Sequence, residues 1–197
     1  IGKLAGEFIA KKLGGKGNVV EIKGDPAVAP AVERHEGFAE AIAGTKIKVI
    51  AETHADWDQE KALKFMEDTL QRFGPGQIQA IYTHNDNMAF GALRAVQAAG
   101  RAKEGILIIG IDGENAAIRA VAKGDLTATF TYSTVAPEGV IAAHALATKN
   151  LGELDKLGKM TKKPDGSMEI EIPSKMITKE NAAEYFCKGF GDDPECK

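Results

Sequence analysis

Cysteine is nearly absent: the 197 residues hold two, Cys187 and Cys196, both in the polar tail. That excludes a disulfide-built scaffold and a CxxC redox pair, and the spacing is too long for a zinc knuckle. The two thiols either close a short loop around Pro194, as an oxidising compartment would permit, or stand free. There is no excess of positive charge either. The formal net charge of -3 supplies no basic field for nucleic acid or an anionic membrane. Long hydrophobic runs are missing too. The longest, Gly105–Ile111, falls far short of the roughly 20 residues a membrane-spanning helix needs, so no direct membrane insertion is expected.

The arrangements that perform chemistry are equally scarce. No Gly-x-Ser-x-Gly elbow, P-loop or GxGxxG fingerprint occurs, and Gly110-x-x-Gly113 is not a dinucleotide motif. His35, His54, His84 and His144 are scattered singly, without the His-x-x-x-His or Glu-x-x-His spacing that puts two ligands on one helix face. No metal and no cofactor is therefore expected, and binding without turnover is favoured over an enzyme.

What is present is alternation. Helical stripes and short apolar strands follow one another with Gly- and Pro-marked turns, the pattern of a parallel sheet covered by helices. The hydrophobic fraction of 44% and charged fraction of 27% suit an ordinary globular domain of this α/β, doubly wound kind. Strands are expected at Asn18–Lys23, Lys46–Ala51, Ile78–Thr83, Ile106–Ile111 and Leu126–Thr131. Helices are expected over Ile1–Leu13, Ala31–Ala43, the stretch capped by Asp56, the stretch capped by Asp86 and Asn115–Lys123. After Tyr132 the character changes. Pro137 opens a small-residue helix, a Gly- and Lys-rich connection follows, and Pro164-Asp165-Gly166 forms a turn before a strand at Met168–Ile172. Thr178 caps a last short helix, Thr178–Phe186. Residues 1–132 thus read as one lobe, 133–186 as a return segment and 187–197 as a tail.

In open α/β sheets ligands bind at the carboxyl ends of the strands. Four residues stand there with a chemistry suited to a polyol. Arg34 offers a planar fork of donors, against the alternative of a solvated arginine pairing Glu33 or Glu36. Trp57, the only tryptophan, offers an apolar face for a sugar ring, or else anchors the surface. Asn85 leaves its strand just before a capping Asp86 and offers both donor and acceptor. Asp112 ends the central strand as an acceptor, or caps the next helix. Gly113 lets the chain turn beside it.

These stretches resemble the periplasmic sugar-binding proteins of ABC importers, of the ribose and galactose type. The resemblance rests on Leu4-Ala5-Gly6-Glu7-Phe8-Ile9-Ala10, Glu33-Arg34-His35-Glu36-Gly37-Phe38, Ala55-Asp56-Trp57-Asp58, Asn85-Asp86-Asn87-Met88-Ala89-Phe90-Gly91-Ala92-Leu93 and Ile109-Gly110-Ile111-Asp112-Gly113. It implies that Arg34, Asn85 and Asp112 bond sugar hydroxyls, that Trp57 stacks, and that Tyr132 takes the hinge position where ribose binders carry Gln. It implies a monosaccharide ligand, ABC permease subunits as partners, and a periplasmic or extracellular location, lipid-anchored in a Gram-positive cell. It also implies a two-lobe trap of which this chain is the carboxy-terminal portion. Ile1-Gly2-Lys3-Leu4-Ala5-Gly6 already reads as the middle of a helix, so a cut at the amino end is expected. The effector-binding core of a lactose-repressor-type regulator shares the fold and the Asn85 stretch, and is the alternative.

Overall fold

The computed structural model describes residues 1–132 and 136–189. The chain divides into two compact units, Ile1–Thr131 rejoined from Met176 onward, and Tyr132–Lys175. Up to Thr131, apart from a short 3-10 helix at Ala102–Glu104, helix and strand alternate: α1 (Gly2–Lys12), β1 (Lys16–Lys23), α2 (Ala29–Ile42), β2 (Lys46–His54), α3 (Gln59–Arg72), β3 (Ala80–Thr83), α4 (Asp86–Ala98), β4 (Leu107–Ile109), α5 (Asn115–Lys123) and β5 (Ala128–Phe130).

Strand pleating sorts the core into two layers. Neighbouring side chains on a strand point to opposite faces, so Val19, Ala80, Tyr82 and Ile109 meet Ala5, Phe8 and Ile9 of α1 and Phe38 of α2. Val20, Ile22, Ile81 and Ile108 turn the other way, onto Met66 of α3, Met88 and Ala92 of α4 and Val121 of α5. Strands buried on both faces read as near-continuous apolar runs, which is why β3 and β4 were visible in sequence. Two charged residues of β1, Glu21 and Lys23, break the rule. Glu21, between Val20 and Ile22, points to the α2 face and is fully buried.

A strand not expected from sequence, β8 (Met176–Thr178), pairs antiparallel with β5 and closes a sheet of order β2-β1-β3-β4-β5-β8, whose first five strands are parallel. The chain winds outward from β1 to β2 and then returns to β3. The switch point, where doubly wound sheets hold ligands, therefore lies between the ends of β1 and β3. The β1–β2 register slips between Val19 and Val20.

The second unit holds α6 (Ala136–Ala147) and a hairpin of β6 (Lys159–Lys162) and β7 (Met168–Glu171). The expected turn is there: Lys163 N–H donates to Ser167 O and Gly166 N–H to Lys163 O. Its partner strand β6 was read only as connection. The last helix, α7, runs Ala182–Gly189, so Thr178 does not cap it. Thr178 ends β8 instead, its N–H donating to Asn181 Oδ1 at 2.8 Å. The pairing of Cys187 with Cys196 lies outside the described residues.

Candidate ligand site at the strand ends

The site begins with a pinned loop. Beyond β1, the Gly24 N–H donates to His84 Nδ1 at 3.3 Å and its carbonyl accepts from His54 Nδ1 at 2.7 Å. Two imidazoles thus fix the two peptide groups that flank the Gly24 Cα. A side chain on Gly24 would overlap the benzo ring of Trp57, which lies over it. The ring is aimed there by its backbone. Asp56 and Trp57 both have positive φ, 51° and 65°, in a tight turn closed by Asp58 N–H to Ala55 O at 2.8 Å. Such φ values are uncommon outside glycine. The helix cap that sequence assigned to Asp56 falls to Asp58, whose Oδ1 accepts from Lys61 N–H at 2.8 Å. Trp57 therefore folds back over the end of β1, not onward into α3.

Arg34 comes from the second turn of α2 and is 5% exposed. A buried guanidinium needs partners. One amino group donates to the carbonyl of His84, the other lies 3.7 Å from Asp112 Oδ1, and the group sits 5.4 Å from the Trp57 ring centroid, within cation–π range. The surface-arginine alternative is thereby removed. Asp112 has φ 125°, its N–H is held by Phe130 O, and burial pushes its carboxyl up to about 6 against the opposing pull of Arg34. It caps nothing: α5 starts after Glu114, without a side-chain cap.

The cap that sequence assigned to Asp86 falls to Asn85. Asn85 is the cap of α4, its Oδ1 accepting from Met88 N–H at 2.9 Å, while Nδ2 donates to Trp57 O at 3.4 Å. Asp86 is turned inward, accepting from Thr129 Oγ1 at 2.7 Å and Glu114 N–H at 2.9 Å. A side chain on Gly110 would strike its Oδ1, so glycine there makes room for it. Burial outweighs these two hydrogen bonds and the carboxyl is pushed up to about 7.

Arg34, Trp57, Asn85 and Asp112 are thus brought together at the mouth between β1, β3 and β4. Tyr132 belongs to the second unit, where it is exposed. Sequence reasoning missed the layer beneath. Glu21 Oε1 accepts from His84 Nε2 at 3.1 Å, and both its oxygens lie 3.0 Å from His35 Nδ1. Histidines scattered in sequence therefore converge in space. Because Gly24 donates to Nδ1, the His84 proton sits on Nε2; burial lowers the pKa of this ring, partly offset by Glu21. The signal available was Glu21 itself, a charge inside an apolar strand.

A guanidinium, an indole face, a carboxamide and a carboxylate, each already oriented, suit a neutral polyhydroxylated ring. Comparison with known proteins agrees with the fold. The chain is 41% identical over 144 residues to the ribose import binding protein of Haemophilus influenzae, covering 72% of this chain and 48% of that one. It spans about half the length of the curated relatives it matches. Among solved structures, a periplasmic solute binding protein from Actinobacillus succinogenes with bound D-allose superposes with TM-score 0.75 at 29% identity, over 93% of this chain and 60% of that one. A solute binding protein from Bacillus halodurans with bound myo-inositol does so with TM-score 0.75 at 26% identity, over 93% and 59%. The periplasmic binding protein domain model matches residues 1–153, over the same switch-point sheet and the same strand-end residues, and the chain belongs to that family.

Proposed function

We propose that the chain supplies one wall of a sugar-capturing solute-binding protein that works in the periplasm or outside the cell and delivers a monosaccharide or related polyol to an ABC permease, without turnover. The observation that carries this reading is the convergence of Arg34, Trp57 and Asp112, with Arg34 ordered by His84 and Asp112. In this reading Arg34 donates to hydroxyls or a ring oxygen, Asp112 accepts from hydroxyls, and Asn85 donates through its amide. Trp57 stacks on the apolar ring face, and Tyr132 contributes a further contact from the hinge position. Residues 1–132 form the wall, 133–175 lead toward a second lobe before the chain rejoins the first unit at Met176, and 187–197 are a tail.

Relatives named for ribose import and solved structures holding allose and myo-inositol favour this over the repressor-core alternative. Their named ligands are neutral polyols, which the strand-end set fits without a compensating charge. The test is a thermal-shift panel of pentoses, hexoses and cyclic polyols on the parent, Arg34→Ala and Trp57→Ala. A ligand at about a hundredfold excess over its dissociation constant stabilises by ~2.7 kcal/mol. One polyol raising the melting temperature of the parent and of neither variant is the expected result. An equal rise in all three, or none across the panel, removes the assignment.

A further inference from the structure

Glu21 is a carboxylate where carboxylates are rare, wholly buried in the middle of β1. An ionised carboxylate in such a place is costly, by several kcal/mol, unless positive charge accompanies it. Its two imidazole partners differ. His84 is the hydrogen-bonded neutral form, fixed by Gly24, and it orients Glu21 through Nε2–H. His35 reaches the same carboxylate from α2 with a side chain 40% exposed. Glu52 stands directly opposite Glu21 in the β1–β2 register, so its side chain leaves the same face of the sheet. Lys23 pairs with Glu52, the outer of the two carboxylates, at 3.0 Å. One ligand atom each from Glu21, His35 and Glu52 all lie within 4.8 Å of one another.

We propose that Glu21, His35 and Glu52 form a binding site for a divalent first-row transition ion, zinc first. Two carboxylates and an imidazole from three separate elements make a recognised donor set, with water completing four-coordination on the solvent side. The partly exposed His35 and Glu52 have the rotamer freedom to close on an ion held by the fixed Glu21. His84 has the outer position, donating to a ligating carboxylate and setting its orientation. Lys23 gives up Glu52 when the ion enters. The site does not depend on the sugar reading, although His84 touches both: its ring faces Glu21 and its carbonyl accepts from Arg34.

The test is a zinc titration of the 197-residue protein against a chromophoric chelator. His35→Ala, Glu52→Gln and a Cys187→Ser, Cys196→Ser double variant are run in parallel, with far-UV circular dichroism to verify folding. One zinc per chain is expected in the parent and in the cysteine variant. Affinity falls at least about tenfold in His35→Ala and in Glu52→Gln, since even outer-position losses reach that size. Magnesium, which avoids imidazole donors, does not compete. The proposal is overturned if no zinc is retained, if His35→Ala and Glu52→Gln bind as the parent does, or if the cysteine variant loses the ion.

Discussion

Asp86 is a carboxylate whose chemistry departs far from its type. Burial raises its carboxyl from 3.8 to about 7, although Thr129 and Glu114 both donate to it. The raised value means that the folded state holds a proton the unfolded chain has released. Stability from this group is present in full below the unfolded value and is lost as pH rises through about 7. Between those limits the slope is at most ~1.4 kcal/mol per pH unit. Asp112, raised to about 6, acts in the same direction over a narrower window. Urea midpoints of the parent are therefore expected to fall between about pH 5 and about pH 8, and to fall less in Asp86→Asn. Equal slopes in the two proteins would show that Asp86 is ionised throughout.

At the scale of the element, Asn85 has two tasks that one substitution separates. Its Oδ1 caps α4, while its amide faces Trp57 O and the site. Asn85→Ala removes the cap and is expected to cost about 1 kcal/mol. Asn85→Asp keeps a capping oxygen, so chemical denaturation should show stability close to the parent. Both variants lose the amide donor, and calorimetry with the ligand should show weakened binding in each. Weakening only in Asn85→Ala would assign Asn85 to the helix alone.

The passing of the cap from Asp86 to Asn85 also shows what was legible. Asparagine and aspartate cap equally well, and only the close approach of Gly110 and Thr129 decides which one turns inward. Apolar runs and Gly- or Pro-marked turns sufficed for α1 to α5 and β1 to β5, because those elements are long or buried on both faces. Strand β6, with Met160 its sole large apolar side chain, and the three-residue β8 gave no such pattern. The four strand-end residues of the first unit were legible from topology. Glu21, His35 and His84 were not, since Glu21 and His84 stand 63 positions apart and meet only after the sheet has formed.

For the molecule as a whole, local stability should follow burial. All four residues of β3 are buried, whereas β6 and β7 are mostly exposed on either side of their turn. Amides in open, shallow elements exchange by local opening, and those of core strands only by global unfolding. Hydrogen exchange followed by mass spectrometry is expected to label Lys159–Glu171 well before Ala80–Thr83. Similar protection in the two would mean that the hairpin is part of the main cooperative unit.

One of the two border strands of the large sheet has a bearing on crowding. Strand β2 ends the hydrogen-bonded order, and a nine-residue border with spare backbone groups invites other chains to add to it. Lys46, Lys48, Glu52 and His54 are exposed along it, and the slip beside Val19 breaks the regular pairing that a flat template needs. Charge and irregularity together make that border a poor seed for strand-to-strand aggregation.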